Sequence, residues 1–130
     1  MLAKLVAEHV TITEDDGVLL VGFFSNPEHA KYVMLSRQMD DPECKDPDSR
    51  MVHVERDDQR WSSYGGISQC ILSRGLLKVQ LTPAGRRELG CDEVKVTFKA
   101  DVVPLEALGI ALQRLFEFDL DRFHATTFSK

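Results

Sequence analysis

The chain has 130 residues, a length that builds one domain around one hydrophobic core. With 43% hydrophobic and 28% charged residues, its composition is that of an ordinary soluble globular protein. The net charge of −5 argues against a general nucleic-acid binder, which needs a basic face for the phosphates, and is compatible with a basic protein partner.

Three cysteines, Cys44, Cys70 and Cys91, lie far apart, and no pair has CxxC spacing. This pattern argues against a disulfide framework and against a structural zinc site, and it favours free thiols in a reducing compartment. No long apolar run precedes the first acid, Glu8, so no signal peptide is predicted, and no segment is long enough to span a bilayer. We expect a soluble cytoplasmic protein that needs no cofactor.

The first part of the chain predicts a β-hairpin. Residues 5–13 (LVAEHVTIT) are rich in β-branched side chains and predict one strand. The charged cluster Glu14-Asp15-Asp16-Gly17 ends in Asp-Gly, which is a turn signal. Residues 18–24 (VLLVGFF) are almost continuously apolar, as in a central strand buried on both faces, and Gly22 indicates a bulge or a close backbone contact.

A third strand and a loop follow. Residues 30–38 (AKYVMLSRQ) predict a strand in which Tyr32, Met34 and Ser36 share one face. Residues 40–50 carry two prolines and many charges, which predicts a mobile loop.

The segment 57–66 (DDQRWSSYGG) is the most distinctive part of the chain. It follows a short predicted strand, residues 52–55 (VHVE), and contains the only tryptophan, Trp61, together with Tyr64 and the only Gly-Gly pair. We predict a polar loop here. A loop of this length is usually functional or disordered, and large aromatic side chains argue against disorder, so we expect specificity to reside in this segment.

Three later segments predict strands. Residues 67–72 and 76–81 form a hairpin around Ser73-Arg74-Gly75, and the second arm alternates apolar and polar side chains. Residues 93–99 (EVKVTFK) show the cleanest alternation in the chain.

Two helices are predicted. Thr82-Pro83 provides an N-cap and a first helical residue for a short helix over residues 83–89, and Gly90 ends it. Pro104 opens the last helix, whose apolar stripe is expected to pack on the sheet: Leu105, Leu108, Leu112, Leu115 and Phe116. The tail, residues 117–130, alternates acids with aromatic and aliphatic side chains and predicts a short helix, an edge strand or a partner-binding extension.

These elements predict an α+β fold in a single domain, residues 1–130. It would be a mostly antiparallel β-sheet of about six to seven strands. A short helix follows the central hairpin, and a C-terminal helix packs on one face of the sheet.

The chain contains no glycine-rich phosphate loop, HExxH motif or GxSxG motif. His53, Glu55, Asp57 and Asp58 form the best candidate metal or acid–base cluster, since His53 and Glu55 share a strand face. A solvated strand that runs into a turn explains them better, because no second histidine lies nearby. Cys70 with His53 could form a nucleophile–base pair, but a cysteine in an apolar strand is more often inert core.

Partner-binding candidates lie in the 57–66 segment. Trp61 and Tyr64 are typical interface anchors, with the alternative that they fold inward and fasten the loop. Asp57, Asp58 and Arg60 surround them. A second acidic patch, Asp15 and Asp16, is also consistent with an ordinary solvated turn.

Several of these stretches recur together in one known family. They are Tyr32-Val33-Met34-Leu35-Ser36-Arg37, Val54-Glu55-Arg56-Asp57-Asp58-Gln59, Tyr64-Gly65-Gly66-Ile67, Leu81-Thr82-Pro83-Ala84 and Ala111-Leu112-Gln113-Arg114-Leu115-Phe116. Over roughly residues 31–116 the chain resembles the immunity-protein family numbered ten of bacterial polymorphic toxin systems. The resemblance implies a small cytoplasmic protein that binds and neutralises a cognate toxin domain without catalysis.

The leading hypothesis is therefore a non-enzymatic immunity protein that occludes its toxin through Asp57, Asp58, Arg60, Trp61 and Tyr64, with Asp15 and Asp16 as a second patch. The alternative is a small ligand- or metal-binding protein, or an enzyme, that uses His53, Glu55 and Asp57. A homodimer formed through an edge strand or the tail is a third hypothesis.

Overall fold

The computed structural model describes residues 2–26, 29–39, 51–99 and 101–125, which form ten strands, two α-helices and a short 3-10 helix. In chain order the strands are β1 (Leu2–Ala7), β2 (His9–Asp15), β3 (Val18–Asn26), β4 (His29–Gln38), β5 (His53–Arg56), β6 (Asp58–Tyr64), β7 (Ile67–Ser73), β8 (Leu76–Leu81), β9 (Glu93–Phe98) and β10 (Phe123–Ala125). The helices are α1 (Pro83–Leu89) and α2 (Leu105–Leu115), and the 3-10 helix is Leu120–Arg122. The predicted loop at 40–50 and the end of the tail lie outside the described residues.

The strands form two five-stranded sheets. Sheet A has the order β1-β9-β8-β7-β10, with β1 parallel to β9 and β10 parallel to β7. Sheet B has the order β2-β3-β4-β5-β6 and is antiparallel throughout. The predicted α+β class is confirmed. The described residues form ten strands in two sheets, whereas we expected one sheet of about six to seven strands.

The single strand predicted over residues 5–13 is wrong. The chain breaks at Glu8, so that β1 enters sheet A and β2 enters sheet B. In β1 the odd-numbered Leu5 and Ala7 are buried, whereas in β2 the even-numbered Val10 and Ile12 pack against the core. The inward-facing positions therefore shift by one residue at the break, which moves the second half of the segment to another sheet.

The polar loop predicted over residues 57–66 is also wrong over most of its length. Residues 58–64 form β6, the edge strand of sheet B, paired with β5. Its sequence is polar because one edge and part of one face meet solvent. The pairing with β5, rather than a strong intrinsic strand preference, makes it extended.

The predicted turns and caps are confirmed where the local chemistry is specific. Asp16 (φ 52°) and Gly17 (φ 77°) both have positive φ, as in the tight turn that suits an antiparallel hairpin. Thr82 Oγ1 accepts a hydrogen bond from the Gly85 N–H at 3.0 Å, and so caps α1. Gly90 ends α1 in the left-handed conformation at φ 69°.

Both sheets bury one face in a shared core, closed by α2. The ring centroids of Phe23 in β3 and Phe98 in β9 lie 5.9 Å apart, so the inner faces of the two sheets meet there. Helix α2 contacts β3 and β4, which confirms a C-terminal helix packed on a sheet face. Its buried side chains are Leu108, Ala111, Leu112 and Leu115.

The tail folds back on the molecule as far as residue 125. Phe123 stacks on Phe116 with ring centroids 5.9 Å apart, and Arg122 Nη1 donates to the Ile67 carbonyl at 2.8 Å. Strand β10 then adds a fifth strand to sheet A beside β7. Of the outcomes predicted for the tail, the structure shows an edge strand preceded by a 3-10 turn.

Cys70 and Cys91 are free and buried, and Cys44 lies outside the described residues. Burial raises the pKa of the Cys70 thiol, which keeps it protonated and explains why it behaves as core. None of the helices in the described ranges is both long and apolar enough to cross a membrane.

Candidate functional site

The residues predicted to bind a partner divide into two groups at opposite corners of sheet B. Asp57, Asp58, Arg60 and Trp61 lie at the junction of β5 and β6 and along β6, whereas Asp15 and Asp16 lie at the β2–β3 turn. Strands β2 and β6 are the two edges of the sheet, so about 19 Å of sheet width separates them. The structure does not bring the two acidic patches together.

Asp57 fixes the junction between β5 and β6. It has a positive φ of 62°. Its N–H donates to the Tyr32 carbonyl at 3.1 Å, its Oδ1 accepts from the Tyr32 N–H at 3.0 Å, and its Oδ2 accepts from Arg56 Nη1 at 3.2 Å. These bonds hold the end of β5 against β4, so much of the acceptor capacity of the Asp57 carboxylate is used within the fold.

Trp61 fastens β6 to helix α1. Its ring is half-buried and lies against Gly90, where an added Cβ would come within 2.8 Å of the indole. The guanidinium groups of Arg56 and Arg60 lie 5.2 and 5.3 Å from the ring centroid, within cation–π range. Arg56 Nε also donates to the Leu89 carbonyl at 2.8 Å, at the C-terminal end of α1. Trp61 therefore packs within the fold, and part of its side chain remains exposed.

Asp58, Arg60 and Tyr64 are exposed along β6. Asp58 Oδ1 accepts from the Arg60 N–H at 3.1 Å, which orders this charged part of the strand. Charged side chains on an edge strand oppose pairing with another strand. Asp58 and Arg60 therefore protect the edge of sheet B, and they are also available to contact a partner.

Tyr64 belongs to a surface that the sequence indicated only in part, through the shared strand face of His53 and Glu55. Strand register places Phe24, Tyr32, His53, Glu55 and Tyr64 on the side of sheet B that points away from the core; we call these five residues the aromatic face. No described helix or strand packs on this side. Helix α2 and strand β1 reach sheet B through its core side, and α1 reaches β6 beside Trp61.

Contacts within the aromatic face are close. Tyr64 is 57% exposed, and its ring lies 4.6 Å from that of His53, its direct cross-strand neighbour. Phe24 and Tyr32 have ring centroids 6.2 Å apart. The Tyr32 hydroxyl donates to Glu55 Oε2 at 2.5 Å. The alternation of residues 30–38 predicted the direction of Tyr32, but nothing in the sequence indicated which faces of which strands would be adjacent.

Two pKa values are shifted on this face. Burial raises the pKa of the Tyr32 hydroxyl, and its hydrogen bond to Glu55 raises it further, so it remains a proton donor. Burial lowers the pKa of His53, and the nearby Glu55 carboxylate opposes that shift. The described residues include no group of three or more histidine, cysteine or acidic side chains placed to hold a metal ion, and this applies to His53, Glu55 and Asp57.

Glu14, beside the second acidic patch, is already neutralised by an ion pair. Arg114 in α2 donates to its two oxygens at 2.9 and 3.1 Å, and this hydrogen bonding lowers the pKa of Glu14. Asp15 and Asp16 are exposed at the turn itself.

The described residues form an α+β fold in which the aromatic face lies on the side of sheet B that points away from the core. The sequence model of the family Immunity protein 10 matches residues 6–106, and the chain belongs to this family. The match begins earlier than the resemblance noted at residues 31–116 and so includes the first hairpin, and it ends near the start of α2. A search of curated proteins gives no match.

Proposed function

We propose that this protein neutralises a cognate toxin domain by binding it through the aromatic face and the adjoining residues of β6. Membership of an immunity-protein family supports the role in general. The observation that carries the choice of surface is Tyr64, a large aromatic side chain that is 57% exposed and whose ring is tilted against that of His53, with centroids 4.6 Å apart. Aromatic side chains held in one orientation lose little entropy on binding and often dominate interface energies.

Charged residues of β6 would form the rim of this interface. Asp58 and Arg60 lie beside the aromatic face, with Asp57 and Trp61 holding the strand in place. The net charge of −5 suits a basic toxin surface, and charge complementarity at a rim speeds association more than it sets final affinity. Asp15 and Asp16 would take part only if the partner extends across the full width of sheet B.

The mechanism is occlusion, so it requires no catalytic residue and no cofactor. A toxin domain covered over a standard-sized interface, about 800 Å² on each partner, loses access to its substrate. We infer that the protein is a single domain that acts in the cytoplasm. There it would bind the toxin before the toxin damages the cell.

The test is co-expression of the chain with the toxin domain encoded beside it, followed by co-purification and measurement of Kd. We expect a stable complex and survival of the host. Tyr64→Ala should raise Kd by about tenfold or more, because it removes a large exposed ring. Ile110→Ala is the matched control, since Ile110 is 54% exposed on α2, away from this surface, and should leave Kd unchanged.

The outcomes separate the role from the surface. Absence of both complex and protection, with a folded protein, contradicts the proposed function. A tight complex in which Tyr64→Ala and Ile110→Ala behave alike keeps the function and rejects the aromatic face as the binding surface.

A further inference from the structure

Glu55 is an unusual residue for the solvent-facing side of a sheet, because it is only 9% exposed. It lies in the cross-strand row Thr11–Gly22–Met34–Glu55–Ser62, between the Phe24–Tyr32 pair and the His53–Tyr64 pair of the aromatic face. Removing a carboxylate from water to this degree is costly unless hydrogen bonds or a cation compensate it.

Among the described residues, one side chain hydrogen-bonds to Glu55. The Tyr32 hydroxyl donates to Oε2 at 2.5 Å, and it is neutral. Among the described residues no lysine or arginine forms an ion pair with Glu55. The nearest arginine in sequence, Arg56, is engaged with Asp57, the Leu89 carbonyl and the Trp61 ring. Burial lowers the pKa of His53, and the Glu55 carboxylate opposes that shift.

The surroundings of Glu55 suit a cation. Tyr32 contacts it through the hydroxyl, and Met34 is its direct cross-strand neighbour. His53 lies two residues away on the same face of β5, with the Tyr64 ring 4.6 Å from its own. Aromatic faces attract ammonium and guanidinium groups, and this attraction is strongest where water is excluded. A carboxylate among such rings therefore offers both charge and a π surface to one side chain.

We propose that Glu55 and the rings of Tyr32, His53 and Tyr64 form a receptor for a single arginine or lysine side chain of the partner. This inference rests on the proposed function and specifies the chemistry of its central contact. The incoming group pairs with the carboxylate oxygen opposite the one held by Tyr32, and its stem packs on the Tyr64 ring. A charge-assisted hydrogen bond in this setting contributes more than an exposed ion pair does.

The decisive variant is Glu55→Gln, which keeps the size of the side chain and an acceptor for the Tyr32 hydroxyl but removes the charge. With the toxin domain encoded beside the chain, we expect Kd to rise by about tenfold or more, and the salt dependence of Kd to weaken. Glu106→Gln is the matched control, because it removes one carboxylate from the exposed first turn of α2, and it should leave Kd unchanged.

A second measurement does not depend on the variant or on the toxin. N-acetyl-L-arginine amide is titrated into the wild-type protein at millimolar concentrations, with N-acetyl-L-glutamine amide as the uncharged control. Only the arginine compound should shift the NMR signals of the Glu55 carboxyl carbon and of the His53 and Tyr64 rings.

The results distinguish two failures. If the wild-type protein binds no toxin but the arginine compound shifts these signals, the proposed function fails and the cation receptor stands. If the toxin binds equally well to the wild type, Glu55→Gln and Glu106→Gln, the receptor is rejected while the function stands. If equal shifts occur with both amides, or no shift occurs with either, the receptor is likewise rejected.

Discussion

Gly66 and Gly85 bring the first turn of α1 against the start of β7. A Cβ built on Gly85 would lie 2.2 Å from the Gly66 carbonyl oxygen, and one on Gly66 would lie 2.8 Å from the Gly85 Cα. The Thr82 N–H donates to the same Gly66 carbonyl at 2.9 Å. Both obstructing atoms belong to the backbone and cannot rotate away, so only glycine fits this contact.

We therefore predict that Gly85→Ala lowers the free energy of unfolding by about 2 kcal/mol, the range typical of overpacking. Replacing a glycine within a helix by alanine usually raises the free energy of unfolding, so the expected effect here has the opposite sign. Gly109→Ala in α2 is the matched control, because a Cβ there meets only Leu72 Cδ2 at 3.9 Å, an ordinary contact. It should raise the free energy of unfolding by up to about 1 kcal/mol through helix propensity. Urea denaturation of the two variants measures both, and a stabilised Gly85→Ala would show that the helix can move away.

The solvent-facing side of sheet A contains a row of like charges. Lys4 in β1 is paired with Lys95 in β9, and Lys95 is paired with Lys78 in β8. Neighbouring strands lie about 4.8 Å apart, and like charges directly opposite each other destabilise a sheet. Among the described residues none of these lysines forms an ion pair, so the repulsion is relieved only by solvent and by the flexibility of the side chains.

Reversing the central charge should stabilise the sheet. We predict that Lys95→Glu raises the free energy of unfolding by about 0.5–1 kcal/mol relative to Lys99→Glu, which has the same effect on net charge but lies beyond the end of β9. The difference should shrink in high salt, because screening weakens exposed charge pairs. Thermal denaturation at low and high salt measures it. Equal stability of the two variants at low salt would mean that the lysines already avoid one another.

Turns and helix caps could be predicted from the sequence, whereas one strand could not. The Asp16-Gly17 turn and the Thr82 and Gly90 caps were predicted correctly, because each depends on a local conformation that few residues adopt. Strand β6 was missed because its extended form depends on pairing with β5. The break at Glu8 left a detectable signal, since the alternation of apolar residues changes phase between Ala7 and Val10.

The candidate site was only partly predictable for the same reason. Tyr64 was selected by residue type, and the shared direction of Tyr32 and Met34 by alternation. Their meeting with Glu55 and His53 depends on the register of three strands, which no short stretch of sequence encodes.

The tail closes one edge of sheet A. Arg37, buried in β4, donates to the Arg114 carbonyl at 3.0 Å, forms an ion pair with Glu117 and lies 4.9 Å from the centre of the Phe118 ring. Strand β10 then covers β7, and Phe123 covers Phe116. The family match ends at residue 106, so the tail residues that form this closure lie outside the matched region.

We predict that a chain ending at Glu117 self-associates, whereas the full chain does so less. Removal of β10 exposes the backbone donors and acceptors of β7 beside Cys70 and Leu72, and it uncovers the Phe116 ring. An unprotected strand edge next to apolar surface is a template for pairing with another copy. Size-exclusion chromatography with light scattering, over a range of concentrations, should show a mass above that of the monomer for the shortened chain.

A chain ending at Ala125 is the matched control, because it keeps β10, the Arg122 bond to Ile67 and the Phe123–Phe116 stack. It should match the full chain in oligomeric state at every concentration. If the chain ending at Glu117 stays monomeric and folded, β7 does not need its cover, and the tail contributes stability without protecting the edge. If the full chain and the chain ending at Ala125 are both dimers of equal affinity, the dimer interface lies away from β7, because both retain the strand that covers it.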